Sequence, residues 1–407
     1  MKKGSPPGLA VASLLMAGFV IAMGYGLFLP VLPQFVARLD PDASQREILW
    51  HMGLVTAVYA GAALLVAPIW GRFADWSSGR IPIALSLLLS GAASIAGGYS
   101  NGIFELYGWR FVAGLGAGAV GPSVQVWLSR WDGHDSTWRS RRIVWAGLAT
   151  TAGFFIGPFV GALAARAATA FDLSAAIQQG MPFFATGSLV LAVAAAVFLF
   201  LPSAPNAPVR DLDSAAVFGR LLPWLLPIGT TALAVSAFEV GLSSMATGQE
   251  LDTWQVGLLF AQCTLFMFVA QSILILPRMR HQSLKTLIIP AMLLLAAGLI
   301  ATVFASGTGL HVLATGMVAA GGGLLPAVLA RELAVIDKGA VGASTGLQSA
   351  ASQLGQTAGA VLSAAVATIA EPRWALVASA IAILASGLMF FATVAGQNAS
   401  QHPETGV

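Results

Sequence analysis

Apolar stretches of about 20 residues recur along this chain, separated by short polar or charged segments. A membrane-crossing helix needs about 20 mainly apolar residues. Twelve stretches meet that length, near 9–35, 49–70, 81–100, 103–128, 143–165, 181–202, 221–246, 254–277, 286–305, 309–330, 340–368 and 374–395. None has the short, even alternation of a membrane β-barrel. The pattern predicts an all-α polytopic membrane protein with twelve transmembrane helices. The first stretch follows the basic start "MKK", as a signal-peptide core does. It is too long for such a core and reads as a retained span.

The positive charges orient the spans. With the N-terminus placed in the cytoplasm, fifteen of the 20 Lys and Arg residues fall on that side, among them Lys2, Lys3, Arg72, Arg139, Arg141 and Arg331. Four (Arg38, Arg46, Arg166 and Arg373) fall on the opposite side. Cytoplasmic loops carry such an excess. Both termini are therefore expected in the cytoplasm and the chain in the plasma membrane, which is the inner membrane if the source is bacterial.

The segment "PSAPNAPVRDLDSAAVFGR" (Pro202 to Arg220) separates six spans from six. It predicts an N-terminal half over 1–202, a cytoplasmic linker over 203–220 and a C-terminal half over 221–407. The halves echo one another. The pairs Gly153/Gly157 and Gly355/Gly359 lie 202 residues apart, and Pro122 and Pro326 lie 204 apart. Repeated halves are typical of secondary transporters.

Composition narrows the chemistry. Charged residues make up 9% of the chain, against about 25% in soluble domains. The single cysteine, Cys263, rules out an intrachain disulfide and a Cys-built metal site. The five histidines are scattered. No metal, cofactor or nucleic-acid partner is expected. No Gly-rich loop ending in Gly-Lys-Ser/Thr occurs, which disfavours an ATP-driven pump. With no nucleophile elbow, His cluster or acid pair at a membrane face, a membrane-embedded enzyme is disfavoured too.

Four local patterns carry a resemblance. In the first span, "MGYGLFLPVLP" (Met23 to Pro33) places Pro30, Val31 and Pro33 where they interrupt the helical ladder, so a bend is expected. After the second span comes "GRFADWSSGR" (Gly71 to Arg80), with Gly71 and Asp75 in a Gly-xxx-Asp frame. In the fourth span, "LYGWRFVAGLGAGA" (Leu106 to Ala119) holds Arg110, the one basic residue deep in any span, with Gly114 and Gly116. In the fifth, "TAGFFIGPFVGALAA" (Thr151 to Ala165) holds Gly153, Gly157, Pro158 and Gly161. Small residues every four positions let two helix backbones come close.

Together these resemble the signatures of the major facilitator superfamily, in particular its twelve-span drug:proton antiporter branch. The sequence departs from them at Trp76, where the loop signature has a basic residue, at Ala113, where the fourth-span pattern has glutamine, and at Val144 and Ala162, where the antiporter signature has glycine. The resemblance implies two six-helix halves, alternating access, and a cavity lined by the first, fourth, seventh and tenth spans. It implies that Gly71 and Asp75 form a conformational latch, that Arg110 takes part in proton coupling, and that the glycines with Pro158 favour export over uptake.

A proton antiporter needs an acid that alternates between protonated and ionised forms. Of the 17 acids, only Glu239, in "ALAVSAFEVGLSSM" (Ala232 to Met245), falls well inside a predicted helix. An ionised acid there costs about 2.5–3.5 kcal/mol on insertion scales. Glu239 is therefore read as the proton-accepting or cation-binding acid, with a protonated or paired structural glutamate as the alternative. Arg110 is read as its electrostatic partner, as an anion-binding group, or as an arginine snorkelling to the interface.

Tyr25, Arg110, Phe238 and Glu239 are the expected substrate-cavity residues. Tyr59 and Trp145 could add aromatic surface. Ser344, Gln348, Ser352 and Gln356 stripe one face of the eleventh span, and Gln262 and Gln271 lie in the eighth; both sets read as gate wall or as interhelical hydrogen-bonding glue.

The expected function is a proton-coupled exporter of small amphipathic compounds. A substrate-specific porter of a sugar, siderophore or organic anion, or a symporter, is the alternative. The expected partners are the lipid bilayer, a small-molecule substrate and protons, and the chain is expected to be monomeric.

Overall fold

The computed structural model describes residues 8–28, 30–77, 79–130, 136–170, 175–203, 214–248, 253–276, 279, 284–336 and 341–401. Among these there is no strand. The helices are α1 Gly8–Phe28, α2 Leu32–Leu39, α3 Gln45–Trp76, α4 Arg80–Gly98, α5 Ile103–Ala117, α6 Val120–Ser129, α7 Ser136–Ala170, α8 Ala175–Phe200, α9 Ser214–Gly248, α10 Thr253–Ser272, α11 Lys285–Phe304, α12 Thr308–Ile336, α13 Val341–Ile369 and α14 Arg373–Gln401. Every predicted stretch is helical, and two of them are broken.

The first span divides into α1 and α2 around Pro30, with Pro33 in the first turn of α2. The fourth divides into α5 and α6 at Gly118 and Ala119. Pro122 explains the second break: lacking an N–H, it cannot donate to the carbonyl of Gly118 four residues back. Ala119 instead donates to Gly116 O at 3.1 Å, a tighter turn.

Ten segments of the described residues are long and apolar enough by themselves to cross a membrane. The apolar part of α10, Gly257–Ser272, is shorter, and α13 carries the Ser/Gln stripe. Of the expected linker 203–220, residues 204–213 lie outside the described residues, and Ser214 to Arg220 form the first turns of α9.

Lipid tails are as apolar as leucine, so helices gain little from hiding apolar surface from them and must instead fit closely. The tightest fits occur twice. Gly153, Gly157 and Gly161 of α7 lie against the backbone of Phe19, Met23 and Leu27 on α1. A Cβ added at Gly157 would stand 2.5 Å from Met23 O. On α13, Gly355 and Gly359 lie in the same way against Gly229 and Leu233 of α9. The first six spans meet the last six chiefly where α3 packs on α13 and α7 on α10. Small residues serve there as well: Gly53 faces Ala360 and Ala364, and Gly257 faces Pro158 and Ala162.

Define the near face as the membrane side on which α1 begins. At the far face, Phe28, Leu32, Phe35, Met52, Leu106 and Phe183 form one buried cluster that Ala367 of α13 joins.

Gly157→Val and Gly359→Val are each expected to destabilise the protein by about 1–3 kcal/mol or more through overpacking. The readout is the thermal midpoint of detergent-purified protein. Gly108→Ala, where an added Cβ meets nothing within 4 Å, should leave it unchanged. If all three variants behave alike, close backbone approach does not hold these helices together.

Candidate functional site

A cavity of about 490 Å³ lies between the first six spans and the last six. Chain direction gives its depth. Its lining runs from Leu14 to Tyr25 on α1, from Ile143 to Phe154 on α7 and from Ile228 to Glu239 on α9, helices that rise from the near face. On helices that run back toward the near face, it includes Met267 and Gln271 in the last turns of α10 and Gly322 to Ala330 in the second half of α12. The cavity therefore occupies the near-face half of the bundle and stops at mid-depth, below the apolar cluster.

Most of its wall is aliphatic or glycine. At Gly121 of α6 and Gly147 of α7 an added Cβ would meet nothing within 4 Å, so these positions keep the cavity wide. Its polar groups include Gln125, Thr151, Gln271, Ser352 and Gln356. Two of these also tie helices together. Thr151 Oγ1 donates to Gln271 Oε1 at 2.8 Å, and Gln271 Nε2 donates to Gly323 O at 2.8 Å, linking α7, α10 and α12. Gln262 donates to Thr315 Oγ1 at 3.3 Å and acts as glue alone.

At mid-depth the cavity ends on Glu239 and Tyr25. Both are buried, and Tyr25 Oη donates to Glu239 Oε2 at 3.0 Å across α1 and α9. Tyr25 also packs beside Phe154 of α7 and Tyr59 of α3, with ring centroids 5.2 and 5.9 Å apart. The other side of Tyr59 carries Arg110. The guanidinium carbon lies 4.5 Å from the Tyr59 ring centroid and 4.4 Å from that of Phe28. Arg110 is buried, and its Nε has no hydrogen-bond partner.

The arginine is thus held between two aromatic faces, whose electron-rich centres attract a cation by about 0.5–2 kcal/mol each. Among the described residues no ion pair joins it to Glu239. The two charges are set in series, with Tyr59 and Tyr25 between them.

Tyr25 and Glu239 line the cavity, as does Tyr59. Arg110 does not: the rings of Phe28 and Tyr59 screen it. Phe238 does not either. It turns instead to a smaller pocket beyond Glu239. Glu239 lines both spaces, while Phe238, one residue and about 100° away on the helix, lines the smaller one. On α13, Ser352 and Gln356 reach the cavity, while Ser344 and Gln348 are buried outside its wall. Trp145 is exposed away from it.

Gly71 is buried on α3, and the side chain of Asp75 lies outside the described residues. Arg130, which counts as one more loop charge in the sequence, holds the same corner. Its guanidinium donates to Ala74 O at 3.0 Å and to Ser77 O, satisfying carbonyls at the C-terminus of α3. Gly79, with φ 77°, takes the left-handed turn into α4 that glycine tolerates best.

A family model described as Major Facilitator Superfamily matches residues 14–330. The chain belongs to the Major Facilitator Superfamily. This superfamily member is 37% identical over 150 residues to the class D tetracycline resistance protein of Salmonella ordonez, a match that covers 35% of each chain. It is 26% identical over 242 residues to the quinolone resistance protein NorA of Staphylococcus aureus, covering 58% of this chain and 56% of that one. The matched stretches thus span about a third to just over half the length of these curated relatives.

Solved structures share the fold of this superfamily member over nearly its full length. The human organic anion transporter MFSD10 (TETRAN) matches with a TM-score of 0.73 at 18% identity, over 94% of this chain and 100% of that one. A bacterial homologue of the human lysosomal transporter Spinster, in an inward-facing and unoccupied conformation, matches with a TM-score of 0.72 at 12% identity, over 95% and 97%.

The stacking of Arg110 yields a quantitative expectation. Arg110→Lys and Tyr59→Leu should each lower the thermal midpoint, because lysine has no planar group to lie between two rings. In a double-mutant cycle the two changes should be non-additive by about 1 kcal/mol. Additive losses would show that the ring contact contributes nothing.

Proposed function

We propose that this superfamily member is a secondary active transporter that exports small amphipathic compounds in exchange for protons, and that Glu239 is the acid that takes up and releases the proton. One observation carries the reading: a buried carboxylate forms the end wall of the substrate-sized cavity, with Tyr25 as its hydrogen-bond partner. An acid so placed meets a substrate and a proton at the same atoms, so the two compete. The drug-resistance relatives support export as the direction.

The halves 1–202 and 221–407 are proposed as the two rocking bodies, joined by 203–220 and hinged at the α3–α13 and α7–α10 contacts. Pro158 lies within the second hinge, facing Gly257. Both termini are proposed to be cytoplasmic, which makes the near face the cytoplasmic one and the cavity inward-open. The protein is proposed to work as a monomer and to carry out no enzymatic step.

The location of Arg110 bears on the anion alternative. An anionic substrate in the cavity would meet Glu239 and the ring edges, while the buried Arg110 guanidinium sits behind Tyr59 and Phe28. A neutral or cationic amphiphile suits that wall better.

Proteoliposomes with an imposed pH gradient test the proposal. Glu239→Gln is expected to lose proton-driven export by roughly a hundredfold, the scale on which a positioned acid contributes. It should retain substrate–substrate exchange, which needs no net proton movement. Wild-type transport should stop when the gradient is collapsed. Undiminished coupling in Glu239→Gln would remove the acid from the mechanism, and export that persists without a gradient would remove proton coupling altogether.

A further inference from the structure

Glu239 borders a second cavity. Beside it lies a pocket of about 30 Å³ enclosed by α7, α9, α10 and α12. Phe154, Phe260, Cys263, Thr264 and Ala319 form its wall together with Glu239. The α12 residues of this pocket, Val318 and Ala319, come one turn before the first α12 residue of the large cavity, Gly322. Because α12 runs from the far face, the pocket lies farther toward that face than the large cavity does on α12. Glu239 lines both spaces, as do Phe154, Val235 and Met267.

The size and chemistry of the pocket fit water. A site on this measure needs about 10–15 Å³ for one molecule, together with polar partners. Three polar groups border it, the Glu239 carboxylate, the Thr264 hydroxyl and the Cys263 thiol. The Thr264 hydroxyl proton is already committed, since Oγ1 donates to Phe260 O at 2.7 Å. That oxygen is left to accept. A water between Thr264 and Glu239 would give one hydrogen to each, with the thiol beside it.

We infer that this pocket is a hydration site through which Glu239 exchanges its proton, separately from the cavity that holds the substrate. The proton-access part rests on Glu239 being the coupling acid; the hydration part does not. On this reading a proton passes between the pocket water and the carboxylate, while substrate approaches the same carboxylate from the near side.

Cys263, the only cysteine in the chain, supplies a single S–H infrared band as a reporter. In purified protein transferred to D2O, the wild-type band is expected to convert promptly to S–D. Ala319→Leu, which fills the pocket, and Thr264→Val, which removes a polar partner at constant volume, should each slow that conversion. A band that does not exchange in the wild type, or exchanges equally in both variants, overturns the hydration site.

In proteoliposomes the same variants should lose proton-driven export by roughly tenfold or more and keep substrate–substrate exchange. Equal loss of both activities, or loss of neither, overturns the proton-access role. If Glu239→Gln remains coupled while the S–H band still exchanges, the coupling acid and the proton role fall together, and the hydration site stands.

Discussion

A guanidinium buried in a membrane bundle has to be held by something, and here two aromatic faces hold it. Arg110 gives up water without gaining an ion pair, so the rings of Phe28 and Tyr59 supply the compensating electrostatics. That requirement brings Phe28 of α1 and Tyr59 of α3 to the Arg110 side chain of α5. Once Tyr59 is fixed over Arg110, Tyr25 is fixed beside Tyr59, and its hydroxyl is aimed across the bundle at Glu239. The contact between the two groups of six spans at the cavity end is thus set by how a single cation is sheltered.

The shape of the cavity follows from a different constraint. With no aqueous driving force, helices stay together where their backbones can touch, and they touch where glycine removes the side chain. The α7–α1 and α13–α9 contacts are of this kind, one in each group of six. Elsewhere the same residue type does the opposite. Gly121 and Gly147 face open space and widen the cavity rather than close a contact. Glycine therefore tightens the ribs of the bundle and loosens its interior.

Much of this is legible in the sequence because it depends on local patterns. Span length marks every helix, Pro30 and Pro33 mark the bend in the first, and Glu239 stands out as the one acid within a predicted span. The glycine spacing on α7 and α13 announces close packing. The packing partner is not announced, since a four-residue period does not say which helix lies opposite. Nor does any spacing reveal the screening of Arg110, because its two rings come from α1 and α3, some 80 and 50 residues away in the chain. Phe238 and Glu239 are neighbours in sequence, and which of them reaches the large cavity depends on the rotation of α9 in the bundle, which no local pattern gives. Arg130 looked like one of many loop charges, and only the position of the α3 carbonyls gives it a task.

The series arrangement also bears on how charge is balanced at mid-depth. Arginine does not release its proton in proteins, so the charge on Arg110 is constant through any cycle. Glu239 is the group there that can change. With Glu239 ionised the pair sums to zero, and with Glu239 protonated it carries one positive charge. A cationic substrate entering the cavity meets a neutral interior in the first case and a like charge in the second. Under the proposed function the acid, held by Tyr25 rather than by a direct ion pair with Arg110, is available to both ligands, and exchange of a proton for a cationic amphiphile needs no further charged residue beside it.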